Sequence, residues 1–317
     1  MTFGPALSRI FFRRTQLVMV FAFLLLLIVV SGFLNRRFLS IENFSNLVAT
    51  SVPYILTAFA QTIILLVGGI DLSVGSLVSL ANVLCARSML STPLGFLPGL
   101  GLALVVGSAF GYANGIVVTR GRLQPIIVTL ASSSIIAGLA LAILPEPGGK
   151  IPVGFARLVN GSAGVPVPLI ALIAFTVLMW IVLNRTKYGR TVYATGGSET
   201  SAYSSGIAVD RVKVISFTLA GLLSALAGIY ISSQIYSGDP LLGTNMSLVS
   251  ITTAVLGGIS LGGGKGNIIG SVAGVFIFII INNVLNLTGV PSFYQFILQG
   301  CLLIFALTIG SLRLRRR

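Results

Sequence analysis

Ten apolar runs, parted by short polar links, fill this 317-residue chain. They cover 16–34, 46–67, 70–87, 96–118, 123–144, 166–183, 213–236, 247–261, 267–288 and 293–311. Most approach the ~20 residues that one helical crossing of a bilayer needs. The stretch 47–86 is broken only by Gly68-Gly69 and Asp71, which suits two crossings joined by a tight hinge. Run 247–261 is short, which predicts a broken or re-entrant helix of the kind transporters use. The link 145–166 is crowded with Pro and Gly and is expected to lack regular structure. The pattern predicts an all-α, polytopic transmembrane helical bundle of about ten spans, one domain over 1–317. Glycines inside the runs, Gly107, Gly111, Gly115 and Gly221 among them, predict close helix packing, because helices in lipid associate through small residues.

Composition narrows the class. Apolar residues make up 55% of the chain and charged residues 8%, with a mean hydropathy of +1.03. A soluble domain carries about a quarter charged residues. The net charge of +14 does not call for nucleic acid, because Lys and Arg stand at the ends of the runs. With the N-terminus inside, fifteen basic residues fall on the cytoplasmic side and only Arg36, Arg37, Arg87, Lys150 and Arg157 on the other. The positive-inside rule then places both termini in the cytoplasm. The basic segment before 16–34 ends in no cleavage signal, so that run reads as a retained span. Cys85 and Cys301 lie in apolar runs and imply neither disulfide nor metal site.

Reaction chemistry finds little support. The chain has no His, and its six acidic residues are dispersed. The string GGGKGN at 262–267 lacks the spacing and hydroxyl of a phosphate-binding loop, so any ATP energy must come from another polypeptide. No catalytic residue, metal site or cofactor of its own is expected. Ion coupling would need ionisable groups inside the membrane, and Asp71 is the sole candidate. It reads either as a helix N-cap or as part of a cytoplasmic gate or partner contact. Its string, GGIDL at 68–72, returns as GGISL at 257–261, which hints at two related halves or at chance in a glycine-rich chain.

The one long polar stretch, 184–213, lies between runs six and seven and holds seven of the chain's 26 charged residues. Gly196-Gly197 is expected to break the chain there. Ser198 would cap a helix over 199–205 that begins with Glu199 and stops at Gly206, with Ser201 where a capping box has Glu or Gln. Seven residues are too few for an independent helix, which needs ~12–15. It either rests on the bundle or docks in a groove of a soluble cytoplasmic subunit.

These motifs resemble those of the membrane permease subunits of bacterial ABC importers of the ribose, xylose, galactose and autoinducer-2 type, over about 43–307. The resemblance is carried by GGIDLSVGS at 68–76, by Asn114-Gly115 with PIIVTL at 125–130, and by TKYGR at 186–190. The segment 196–207, LGGISLGGGKGN at 256–267 and NNVLN at 282–286 complete it. It implies a pair of permeases, two ATP-binding cassettes carrying ATP and Mg, and a periplasmic sugar-binding protein, assembled in the bacterial inner membrane. It also implies that Gly196, Gly197, Ser198, Glu199, Thr200, Ser201, Ala202, Tyr203, Ser204, Ser205, Gly206 and Ile207 form the coupling segment seated on the ATPase. Asp71 and Ser73 would belong to a gate. A weakly polar path could be offered by Asn82, Asn114, Asn282, Asn283 and Gln295, although buried amides also serve as plain interhelical hydrogen bonds. The chain departs from that pattern at Ser198, where Asn is usual, at Tyr203, where a basic residue is usual, and at Ser247 and Val249, where acidic residues are usual. A second, non-identical permease could keep the missing groups. Two other function classes stay open: a permease of the same superfamily for nucleosides or branched-chain amino acids, and a channel or scaffold without ATP coupling.

Overall fold

The computed structural model describes residues 5–92, 94–161 and 166–315, and among these the fold is all helical. The helices are α1 (Pro5–Leu34), α2 (Ile41–Leu66), α3 (Val74–Ser88), α4 (Leu97–Arg120), α5 (Pro125–Ile143), α6 (Val153–Asn160), α7 (Val167–Arg185), α8 (Lys187–Gly197), α9 (Glu199–Ser204), α10 (Val209–Ile235), α11 (Met246–Leu256), α12 (Ile268–Leu287) and α13 (Ser292–Arg315). Each of the ten apolar runs falls on a helix. Seven of those helices are long and apolar enough to cross a membrane; the helices of 70–87, 247–261 and 293–311 contribute shorter apolar stretches. Arg316 and Arg317 of the basic C-terminus lie outside the described residues.

The bundle is organised around α2, where every residue from 51 to 66 except Tyr54 is buried. Pro53 sits inside this helix and has no N–H, so the carbonyl of Ala49 loses its intrahelical donor. Gln234 of α10 supplies the replacement, with its Nε2 donating to that carbonyl at 3.0 Å. Next to α2, helices α4 and α10 approach until backbone meets backbone. Gly107, Gly111 and Gly115 form one stripe on α4, at i, i+4 and i+8. A Cβ at Gly111 would stand 2.3 Å from the Phe217 carbonyl oxygen, and one at Gly221 would stand 2.1 Å from that of Gly107. Lipid tails are as apolar as Leu, so contacts this close supply the dispersion that the hydrophobic effect does not.

Run 247–261 proves to be half helix. α11 has eleven residues, about 16 Å, roughly half of a ~30 Å hydrocarbon core. The chain reaches it from the end of α10 through an irregular segment, 236–245, laid along α3. Asn82 holds the top of that segment, accepting from the Asp239 N–H at 2.7 Å and donating to the Ser237 carbonyl at 3.0 Å. Lower down, Ser79 accepts from the Gly243 N–H at 2.8 Å, and Ser247 accepts from the Gly75 N–H at 2.8 Å. Non-helical backbone at membrane depth survives only with its polar groups satisfied in this way.

Link 145–166 departs from the sequence expectation of irregular structure: it contains α6, with Phe155 buried against Phe96 at 5.4 Å between ring centroids. Pro and Gly bound the helix without entering its middle, and Phe155 and Ala156 give it an apolar face, a period too short to stand out among so many turn residues. The link is further tied down by the pair Gly148–Gly238 and by the Lys150 N–H on the Ala86 carbonyl. The stripe on α4 predicts that Gly111→Leu lowers the thermal midpoint of the detergent-purified protein by overpacking worth about 3 kcal/mol. Gly101→Ala, on the same helix but with nothing within 4 Å, should leave the midpoint unchanged or raise it slightly.

Candidate functional site

Polar stretch 184–213 folds into two helices where one was expected. α8 runs straight through Gly196 and Gly197, and the break falls at Ser198, whose backbone is extended. Thr186 starts α8 by accepting from the Gly189 N–H at 3.2 Å. Tyr188 bonds Ser216 of α10 at 2.8 Å, and burial pushes its phenol well above the usual range. Gly189 lies against the Leu183 backbone, where a Cβ would meet the carbonyl oxygen at 2.1 Å. The string TKYGR thus seats α8 on the bundle.

α9 is the short helix anticipated from the sequence, and it ends one residue early, at Ser204. Ser198 caps it, accepting from the Ser201 N–H at 3.3 Å. At the other end Gly206 adopts φ +81, and the N–H groups of Gly206 and Ile207 reach back to the carbonyls of Tyr203 and Ala202, a Schellman cap. Ala202 is its one buried residue; Glu199, Thr200, Ser201, Tyr203, Ser204 and Ser205 are exposed. Lys213 at the head of α10 donates to Glu199 at 2.7 Å, the sole ion pair among the described residues. Glu199 is 58% exposed, so the pair orients α9 more than it stabilises it. Between this pair, Gly68 and Arg122 opens a crevice of about 240 Å³.

α8 and α9 reach the bundle through a three-way backbone junction. A Cβ at Gly196 would stand 1.7 Å from the Leu66 carbonyl oxygen and 2.6 Å from the Gly264 nitrogen. The Gly264 N–H donates to that same Leu66 carbonyl at 3.0 Å, and the Tyr193 hydroxyl bonds the Gly266 carbonyl at 3.2 Å. One contact region therefore joins the end of α2, the end of α8 and the loop 257–267. The two GGI strings build the same turn on two of these partners. Gly68 (φ +88) closes α2, and Gly258 (φ +90) closes α11, each with the paired back-bonds of a Schellman cap. The letters pair Gly68 with Gly257, but the backbone pairs it with Gly258. Gly257 instead fills a close approach to Gly270, where a Cβ would stand 2.3 Å from the carbonyl oxygen.

Asp71 is buried behind the first of these turns. The sequence expectation of an N-cap misses by two residues: Ser73 holds the N-cap position of α3, and Asp71 accepts from its N–H at 2.8 Å and its Oγ at 2.6 Å. Asn114 of α4 donates to the Ser73 hydroxyl at 3.0 Å. Thr129 accepts from the Leu72 N–H at 3.0 Å, and Ser247 of α11 donates to the Leu72 carbonyl at 2.7 Å. Three helices thus clamp the GGIDLS turn. Thr129 was not singled out as a site residue in the sequence, and Ser247 was noted only as a departure from the family pattern; a Thr one helical turn into α5 carries no signal until the fold brings Leu72 to it.

The remaining amides do not converge with this cluster. Asn82 positions segment 236–245, as described. Asn283 and Asn43 exchange two hydrogen bonds, at 2.8 and 3.1 Å. Asn282 accepts from Gln299 at 3.2 Å, and Gln295 donates to Asn286 at 2.8 Å. Gln299, the donor to Asn282, lines a groove between α11, α12 and α13 together with Val249.

Comparison with known proteins supplies the family. The family described as "Branched-chain amino acid transport system / permease component" matches residues 43–307. The ribose import permease protein RbsC of Bacillus subtilis is 40% identical over 294 residues, 90% of each chain. The D-allose transport system permease protein AlsC of Escherichia coli is 33% identical, over 92% of this chain and 90% of its own. The L-arabinose ABC transporter permease protein AraH of Azospirillum brasilense is 31% identical, over 96% and 89%. No solved structure matches. With the match spanning all the strings that meet at the Gly196 junction, the chain belongs to this family of multi-pass importer permeases.

Proposed function

We propose that this chain is the membrane permease subunit of an ATP-binding-cassette importer for a monosaccharide, in the bacterial inner membrane, with both termini cytoplasmic. The basic residues of the described chain support that orientation. Arg120, Arg122, Arg185, Lys187, Arg190, Arg211, Lys213 and Lys265 gather at the α8–α9 end, against Arg36, Arg37, Arg87, Lys150 and Arg157 opposite. On this reading α11 and segment 236–245 together make one crossing, and the ten runs make ten.

The observation that carries the proposal is the exposure of α9. A six-residue helix with a single buried side chain and Tyr203 73% exposed is a surface built for contact, since so short a helix cannot persist by its own propensity. A separate two-cassette ATPase, with ATP and Mg, grips it; a second permease, identical or not, completes the path; a periplasmic binding protein delivers the sugar. Nucleotide-driven motion of α9 passes along α8 to Gly196, and there directly to the backbone of α2 and of the loop after α11. No side chain intervenes to absorb the displacement. Coupling requires only that the two nucleotide states prefer different positions of these turns.

The relatives named for ribose, allose and arabinose favour an aldose over the branched-chain amino acid of the family description. The complex reconstituted with its ATPase and binding protein should import labelled D-ribose, D-allose or L-arabinose and ignore leucine and uridine. Import of leucine or uridine alone would replace the sugar reading. Gly196→Ala should cut substrate-stimulated ATP hydrolysis about tenfold, within the range of site-to-site coupling energies, and leave the basal rate in place. Gly197→Ala, whose added Cβ meets nothing within 4 Å, should keep the stimulation. Glu199→Arg sets a cation against Lys213 and should abolish stimulation with little change in melting temperature, read by differential scanning fluorimetry.

A further inference from the structure

Among the described residues, the groove between α11, α12 and α13 sets two amides and a hydroxyl among aromatic and aliphatic surface, which lipid contact does not explain. Its volume is about 290 Å³, and its walls include Asn245, Thr252, Phe278, Phe296 and Gln299. Asn245 heads α11 at the N-cap position yet makes no capping bond to its own helix. Because α11 is about 16 Å long and ends at the α8–α9 side, its head lies near the bilayer midplane. An exposed amide at that depth is costly against hydrocarbon, and an interrupted helix at the midplane is where transporters place substrate. Thr252 donates to the Leu248 carbonyl at 2.8 Å and retains its lone pairs as acceptors. Gln299 is held in place by Asn282 at 3.2 Å. No charged side chain lines the groove, and Val249 stands where an acid would have given it charge.

We propose that this groove is the sugar-contacting wall of the import path, with Asn245, Thr252 and Gln299 bonding hydroxyls of an aldose and Phe278 and Phe296 meeting its apolar face. Amides arranged around ring surfaces suit a neutral solute that is polar at its rim and apolar across its faces. Asn282 acts as a positioning residue through Gln299, and Asn82 positions the segment that delivers Asn245. The proposal rests on the importer reading above and sharpens it to particular atoms.

The test uses the full complex in proteoliposomes with labelled D-ribose, D-allose and L-arabinose. Thr252→Val and Gln299→Leu should each reduce uptake of the imported sugar about tenfold, the loss of one buried hydrogen bond, with the complex assembled in wild-type amounts by size-exclusion chromatography. Gln299→Asn should recover part of it. In a Cys301→Ser background, Asn245→Cys should react with a membrane-impermeant cationic thiosulfonate, and turnover with sugar should slow that reaction. Undiminished uptake in both variants, or an Asn245→Cys thiol inert to the reagent, would overturn the groove assignment alone. A wild-type complex that imports none of the three sugars would overturn the importer reading with it.

Discussion

Backbone touches backbone where the helices of this bundle come closest, along α4–α10, at Gly257–Gly270 and at Gly196, and the absence of a Cβ is what permits it. Lipid solvates an apolar side chain as well as a neighbouring helix does, so association depends on contact distance. The α4–α10 stripe and the Gly257–Gly270 approach satisfy that demand inside the bundle. The Gly196 junction extends it to the polar end, where, on the importer reading, the same closeness serves transmission. A flexible side chain at Gly196 would be a cushion; a bare α-carbon against the Leu66 carbonyl is a stop.

Seen this way, the family strings are parts of one joint. TKYGR plants α8 on the bundle, GGIDLS supplies a turn clamped by Asn114, Thr129 and Ser247, and GGISLGGGKGN supplies the third surface. Asp71 gains its partners from Ser73 and is fixed within that turn. Its carboxyl, the sole acidic group of the apolar runs, holds the turn between α2 and α3 through Ser73. On the importer reading, the joint and the α11 groove lie at the two ends of one short helix, and displacement of the loop 257–267 reaches the sugar wall directly.

How far the fold was legible varied with period and with distance. Hydrophobic runs of ~20 residues declare apolar helices plainly, and each of the ten runs falls on one, seven of these helices being long and apolar enough to cross a membrane; the short polar helix α9 was found because Ser198, Glu199 and Gly206 are local signals. α8 was missed because Gly196-Gly197 reads as a breaker, and only its seat against Leu66 shows why two glycines belong at the end of a helix. α6 was hidden by its Pro and Gly flanks. The repeat of GGI was visible, but its true register was not, since one glycine is chosen for φ and the other for clearance. Amide residues were visible as polar and silent as to partner: Asn283 pairs with Asn43 across most of the chain, and only folding reveals it.

Pro53 and Gln234 carry an evolutionary corollary. The proline strips the Ala49 carbonyl of its donor, and the glutamine restores one from another helix. Were Pro53 replaced first, α2 would regain its own N–H and Gln234 would be released to drift. Were Gln234 replaced first, a bare carbonyl would remain in the bundle. Descent through the two positions is therefore directional, and lineages that have lost the glutamine are expected to have surrendered the proline beforehand.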